Sequence, residues 1–419
     1  MKPVRRIEPT EWMRAAPTRA VIDALSADGQ EIRFVGGCVR DSLLGHGDGG
    51  DDDCGERDID IATPDRPQQV IALLDRAAIR NIPTGLAHGT VTAVVERRHF
   101  EITTLRVDVS TDGRHADVAF TDDWQQDAAR RDFTMNALSC TPEGQIYDPW
   151  DGIKDLEAGR VRFVGDAGRR IEEDHLRLLR FFRFHAWYGT GAPDGEGLAA
   201  CAASATSLRQ LSGERIRGEM LKLLAAPDPA PVIEIMAENG VLAEVVAGAG
   251  GTESLRALLA IEAEIGAYPL RRLAALMRPS GNAAAAAKLA DRWRLSNAEH
   301  ERLAALLSPP TQIGADMEQR RLRRELYRYG AEKITDWLVL AWSEHGGGDK
   351  RFRSLIGAAQ EWRPITLPVK GADALELGIP PGPVVGEVLR AVEDWWIEED
   401  FKPARAACLE KLRAMAAGE

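Results

Sequence analysis

Two linked stretches constrain this chain more than any other feature. The first is Phe34-Val35-Gly36-Gly37-Cys38-Val39-Arg40-Asp41, and the second, after a loop, is Arg57-Asp58-Ile59-Asp60-Ile61. Phe34 and Val35 read as the end of an apolar strand. With no Cβ, Gly36 and Gly37 let backbone N–H groups approach an anion, and the helix expected to follow presents its positive end there. In the second stretch the two-residue period of a strand puts Asp58 and Asp60 on one face and sends Ile59 and Ile61 into a core. Two neighbouring carboxylates repel unless a cation lies between them. Hard oxygen donors of this kind suit magnesium, above all when substrate phosphates complete the shell. Alone, each half reads as a turn and a solvated edge; together they point to phosphoryl or nucleotidyl transfer.

At 419 residues the chain has room for two to four domains. A net charge of −12 argues against a protein that coats nucleic acid through bulk charge, although local patches escape that argument. Arg97-Arg98, Arg130-Arg131, Arg169-Arg170 and Arg320-Arg321-Leu322-Arg323-Arg324 are such patches, each as readable as a solvated face. The five cysteines are scattered, odd in number and without metal-type spacing, so reduced thiols in a cytoplasmic protein are expected. Met1 to Trp12 lacks the apolar core of a signal peptide, and no apolar run is long enough to cross a bilayer.

Residues 1–30 read as a leading helix with Trp12, Val21, Ile22 and Leu25 on its apolar side. Short β-type runs alternate with turns up to about residue 150, most clearly Thr90–Val95 and His99–Thr103. The Gly- and Asp-rich segment 46–55 and the polar segment 107–124 read as loops. Leu176, Leu179, Phe182 and Phe184 give residues 171–184 the buried side of a helix. From about 211 to 365 the chain is Ala- and Leu-rich and helical, and residues 369–394 read as a turn and a capped helix. The fold class is therefore α+β, a mixed-sheet head followed by all-α segments.

Asp174 and Arg177 lie three residues apart and are expected to share a helix face. One reading is a surface ion pair worth well under about 1 kcal/mol. The other is a protein template for a nucleobase. Cytosine and adenine both offer an amine beside a ring-nitrogen acceptor, so a carboxylate can accept from the first while a guanidinium donates to the second. Uracil and guanine present the reverse polarity, and each mismatch costs about 1–3 kcal/mol.

These segments resemble the class II branch of the DNA polymerase β-type nucleotidyltransferase superfamily, which holds tRNA CCA-adding enzymes and bacterial poly(A) polymerases. Beyond the opening pair of stretches, Glu101-Ile102-Thr103-Thr104-Leu105-Arg106 resembles the family's E-[VI]-T-T-x-R segment. Arg130-Arg131-Asp132-Phe133-Thr134-Met135-Asn136-Ala137-Leu138 matches R-R-D-F-T-x-N-A-L, and Glu173, Asp174 and Arg177 match E-D-x-x-R. Leu211 to Met220 resembles the neck motif S-x-E-R-I-x-x-E. One departure is His175, where the family usually has proline.

The resemblance implies a head over residues 1–150, a base-recognising neck over 151–225, a body over 226–365 and a tRNA-binding tail over 366–419. It implies that Asp58, Asp60 and Glu101 hold Mg²⁺ ions. It assigns Gly36, Gly37, Arg40 and Arg131 to the triphosphate, Asp132 to the ribose, Asp174 and Arg177 to the base, and Arg180 and Arg183 to further nucleotide contacts. The implied reaction adds CCA to tRNA from CTP and ATP with release of pyrophosphate. The body and tail would cradle the acceptor and TΨC arms, with neither a membrane nor an obligate protein partner. The loop at 107–124 and the run Gly89-Thr90-Val91-Thr92 favour full CCA addition; a poly(A) polymerase, a partial CC- or A-adding enzyme and a non-catalytic RNA-binding relative are the competing expectations.

Overall fold

A computed structural model describes residues 1–28, 31–45, 59–111, 116–278, 282–345 and 350–416. Asp58, Cys54, the acidic segment 46–55 and the centre of the 107–124 segment therefore lie outside the described residues. The chain forms two compact units, Met1–Ala247 and Gly248–Glu419.

Among the described residues the first unit carries ten strands: Arg5–Arg6 (β1), Arg33–Val35 (β2), Ile59–Thr63 (β3), Arg80–Gly85 (β4), Thr90–Val95 (β5), Arg98–Thr104 (β6), Arg106–Thr111 (β7), Ala116–Phe120 (β8), Ser139–Cys140 (β9) and Gln145–Tyr147 (β10). Eight of them make one sheet in the order β1-β10-β9-β2-β3-β6-β5-β4. The β3–β6 pair is parallel and the remaining pairs antiparallel, so the sheet is mixed as expected.

Alternation along β3 does the sorting that the sequence implied. Ile59 and Ile61 are buried, packed with Val21, Leu25, Phe34, Leu74 and Ile102, while Asp60 points to the opposite, half-buried face. Leading residues Glu11–Arg14 and Ala16–Leu25 form two helices rather than one, and Trp12, Val21, Ile22 and Leu25 are all buried in this core.

The 107–124 segment departs from the expected loop. Its flanks pair as the antiparallel ribbon β7–β8, with Val107 opposite Ala119 and Asp108 opposite Val118. The alternation Val107-Asp108-Val109 is that of a strand, which the polar composition of the segment as a whole concealed.

Five helices place the remaining site residues: Gly37–Leu43 (α1), Trp124–Ala129 (α2), Ala167–Glu173 (α3), Leu176–Tyr188 (α4) and Gly213–Leu224 (α5). The second unit is helical from Glu253–Ile265 to Arg405–Ala416. Its terminal helices enclose Val369, Ile379, Val392, Trp396 and Leu412. No helix among the described residues is long and apolar enough to cross a membrane. Cys38, Cys140, Cys201 and Cys408 are buried free thiols.

Candidate active site

β2 ends at Val35, and the chain turns into α1 through Gly36 at φ +74°. That left-handed backbone is strained for any residue with a Cβ, which accounts for the first glycine. A Cβ placed there would lie 3.4 Å from Arg131 Nη1 and 3.6 Å from Asp60 Oδ2, so a guanidinium and a carboxylate both lie over Gly36. Asp60 is paired in parallel register with Glu101 on β6. Residues so paired share a sheet face, which sets two carboxylates side by side. Among the described residues no three His, Cys, Asp or Glu side chains gather as a metal site, and Asp58 is not among them. Asp60 and Glu101 nevertheless supply adjacent hard oxygens of the kind magnesium accepts.

A cleft of about 570 Å³ opens from Gly36 and Gly37 along α4 to Lys222 and Ala225 on and just beyond α5. Eight basic side chains line it (Arg40, Arg130, Arg131, Arg177, Arg180, Arg183, Arg215 and Lys222) against four acidic ones, Asp41, Asp60, Asp132 and Asp174. A chain of net charge −12 thus concentrates positive charge in one concavity, where it acts on a polyanion despite the overall balance. Of the four arginine patches in the sequence, Arg130-Arg131 faces this cleft. Arg320 and Arg323 in the second unit bond Glu398 O and the Asp400 carboxylate.

The cleft arginines differ in what holds them. Arg40 is buried; its Nε and Nη2 donate to the Asp41 carboxylate, Nη1 to Asn136 Oδ1 (3.0 Å) and Nη2 to Tyr188 Oη (2.6 Å), with the guanidinium 4.0 Å over the Tyr188 ring. It lines the cleft with its donors taken up by Asp41, Asn136 and Tyr188. Arg131 Nη2 donates to Asp127 Oδ2 at 3.2 Å, leaving Nη1 toward Gly36. Arg180 Nε donates to Asp132 Oδ2 at 2.7 Å, and Arg183 Nε to Glu219 Oε2 at 2.6 Å.

Asp132 has both oxygens engaged, since Oδ1 also accepts from Phe133 N and Asn136 Nδ2. Burial alone would raise its carboxyl, but the Arg180 charge and these hydrogen bonds hold it down to about 2. Asp127 is likewise buried, and Arg131 and Arg130 outweigh that burial to keep its carboxyl below the ordinary range.

The expected helical pairing of Asp174 with Arg177 is not what the chain forms. The helix breaks between α3 and α4, and Asp174 sits extended at φ −154°, ψ 107°. Its carboxylate accepts from Arg215 Nη2 at 2.9 and 2.7 Å, while Oδ1 also accepts from Leu176 N. Arg177 instead donates Nη1 to Glu173 Oε2 (2.6 Å) and Nη2 to Arg130 O (3.0 Å). Both side chains still line the cleft. Leu176, expected in the core, lines the cleft too, at the very start of α4; Leu179, Phe182 and Phe184 are buried as expected. His175 holds the turn by its own means, with Nδ1 at 3.0 Å from Ile171 O and φ −59°, a value proline also takes.

Asp127, Arg215, Glu219 and Asn136 had no assigned role in the sequence reading. Three of them fall inside quoted motifs, Asn136 in the R-R-D-F-T stretch and Arg215 and Glu219 in the neck stretch. Motif membership was the available signal; the partners, dozens of residues away, were not readable.

Residues 32–162 match a family model described as the poly A polymerase head domain, and residues 193–248 one described as the probable RNA and SrmB-binding site of polymerase A. A CCA tRNA nucleotidyltransferase 1, mitochondrial, of Danio rerio is 33% identical over 91% of this chain and 87% of its own. A CCA-adding enzyme of Geobacillus stearothermophilus is 31% identical over 94% and 96%. This chain belongs to the CCA-adding enzyme and poly(A) polymerase family. The crystal structure of the Bacillus stearothermophilus CCA-adding enzyme in complex with CTP superposes with a TM-score of 0.73 at 28% identity, covering 97% of this chain and all of that one. Family membership gives the arginine-rich cleft a chemical context: it lies across both matched segments, from Gly36 in the head to Lys222 in the second.

Proposed function

We propose that this protein adds CCA to the 3′ end of tRNA, using CTP and ATP and releasing pyrophosphate. The observation that carries the reading is that Asp60 and Arg131 both lie over Gly36 in a cleft that also holds Asp174 and Arg177. One end suits a triphosphate and its cations; the other suits a base. The names of the curated relatives support tRNA and CCA as the substrate and product. Asp60 and Glu101, with Asp58 two residues before Asp60, would hold Mg²⁺, which when bound activates the attacking hydroxyl and steadies the departing pyrophosphate as a metal pair.

The protein's own groups do the rest. The Gly36–Gly37 backbone and Arg131 hold the triphosphate, with Arg40 bracing the glycine turn. Arg180, kept in place by Asp132, and Arg183, kept by Glu219, add positive charge along α4, and Asp132 lies where a ribose hydroxyl can reach it. Asp174 accepts from the amine of C or A while Arg177 donates to the ring nitrogen; Arg215 holds Asp174 in that pose. In-line placement and charge stabilisation supply most of the rate. We assign the head to 1–150, the neck to 151–225, and the body (226–365) and tail (366–419) to tRNA phosphates read by shape. A reducing compartment such as the cytoplasm suits the four buried thiols.

The test uses transcripts of one tRNA ending before CCA, after C or after CC, offered labelled CTP, ATP or both with Mg²⁺. Growth to CCA followed by a stop is expected. Long A tails would make the protein a poly(A) polymerase, activity on one end alone a partial enzyme, and tRNA binding without incorporation a non-catalytic relative.

A further inference from the structure

We propose that Asp127 is a positioning residue that aims Arg131 at the triphosphate, so that an acidic side chain strengthens the binding of an anion. The inference rests on the nucleotidyltransferase reading of the cleft. Asp127 lies in α2, 3% exposed, and does not line the cleft itself. Its carboxylate gathers three donors: Oδ1 accepts from Arg130 Nε (2.8 Å) and from the backbone N of Arg106 (3.2 Å), and Oδ2 from Arg131 Nη2 (3.2 Å).

A guanidinium is planar and rigid, so holding one edge directs the other. With Nη2 on Asp127, Nη1 faces Gly36 and Asp60. The same carboxylate bridges Arg130 and Arg131, whose like charges would otherwise push them apart, and ties both to the first residue of β7. On the opposite side Arg177 Nη2 holds Arg130 O and Arg170 Nη1 holds Ala129 O (both 3.0 Å), so the turn after α2 is fixed from both flanks.

Charge and position predict opposite signs here. Replacing Asp127 by Asn removes a negative charge close to the bound triphosphate; if charge alone mattered, nucleotide would bind more tightly. If Asp127 acts by aiming Arg131, nucleotide binds more weakly.

The experiment compares the full chain with Asp127→Asn, Asp127→Glu, Arg131→Ala and the Asp127→Asn/Arg131→Ala double variant. CTP incorporation into a transcript ending before CCA gives KM and kcat, and equilibrium binding of CTP without RNA is measured beside it. Asp127→Asn is expected to raise KM and weaken CTP binding by about tenfold, with a smaller change in kcat. Added to Arg131→Ala, it is expected to do little more, because its effect passes through that arginine. Unchanged or tighter CTP binding, or effects that multiply in the double variant, would overturn the proposal. If thermal unfolding shows that Asp127→Asn does not fold, Asp127→Glu decides: it keeps the charge but moves the carboxylate by one methylene, and undiminished CTP affinity would overturn the proposal. Wild-type protein that binds CTP but incorporates none would count against the transferase reading, not against Asp127.

Discussion

Two arginine–carboxylate clusters, one in each unit, use the same chemistry to different ends. In the second unit Arg271 donates Nε to Glu262 Oε1 (2.9 Å), Nη1 to Asp336 Oδ1 (2.8 Å) and Nη2 to Gly266 O (2.7 Å). Arg272 bonds the other Glu262 oxygen, and Arg302 bonds Asp336 Oδ2 and Glu332. Arg271, Arg272, Glu262 and Asp336 are each at most 5% exposed. Three arginines meet three carboxylates, and most of the donors are saturated within the protein. In the first unit's cleft eight cations and four acids line an open volume, and Asp127, Glu173 and Glu219 bond several of those cations from outside the lining. An enclosed cluster holds helices together; a cluster whose cations line an open volume can receive an anion.

That contrast breaks most sharply at Asp60. If Asp60 holds a metal as proposed, Asp60→Asn is expected to lower nucleotide incorporation by about 10³-fold or more while the thermal unfolding midpoint stays level, because the carboxylate then serves the reaction and not the fold. Near-normal incorporation by this variant would remove Asp60 from the site.

Arg271→Ala should show the opposite signature. Truncating one partner of an enclosed network strands the others as buried charges, at a cost of about 3 kcal/mol or more. Urea unfolding followed by tryptophan fluorescence would read it, with CTP binding by the folded protein unchanged. A loss below about 1 kcal/mol would mean that the network relaxes, and that its enclosure is not what distinguishes it from the cleft.

The cleft was far more legible in the sequence than the body cluster. Gly36, Asp60 and the Arg130–Asp132 run are set by local rules: the end of a strand, a two-residue alternation, a contiguous motif. The body cluster draws on residues 262, 271, 272, 302, 332 and 336, which no single local period connects. The same limit applied inside the cleft. Helical spacing suggested that Asp174 and Arg177 pair, yet Arg215, 41 residues on, takes Asp174, and the chain leaves the helix to let it do so. The β7–β8 ribbon was hidden for a different reason, since its strand alternation is diluted by polar turn residues.

The third prediction concerns that rearranged pair. Asp174→Ala removes the proposed acceptor for the base amine and leaves Arg215 without its partner. Selectivity for C and A over U and G should fall by roughly 10²-fold, from the 1–3 kcal/mol of each unpaired group, with a smaller effect on total turnover. Competition between CTP and UTP on a transcript ending before CCA measures it. Selectivity that survives would shift base reading to other groups of the cleft wall.

The smallest effect tests whether the cleft also carries some of the structural duty seen in the body. The Arg180 charge outweighs burial and holds the Asp132 carboxyl down to about 2, below the ordinary 3.8. A depressed carboxyl contributes stability that is complete above the unfolded pKa and is lost as pH falls through the folded one. A carboxyl held near 2 corresponds to about 2 kcal/mol of stability, present at pH 7 and fading between about pH 4 and 2. Asp132→Asn should therefore be less stable than wild type by about that amount at neutral pH in urea unfolding, and the gap should narrow as the pH is lowered toward 3. A gap that stays constant with pH would mean that the ionisation of Asp132 does not set this stability, and that the loss in Asp132→Asn comes from a contact made by both protonation states. The Arg180 pair would then belong wholly to nucleotide binding, and the division between a receptive cleft and a structural body would be cleaner still.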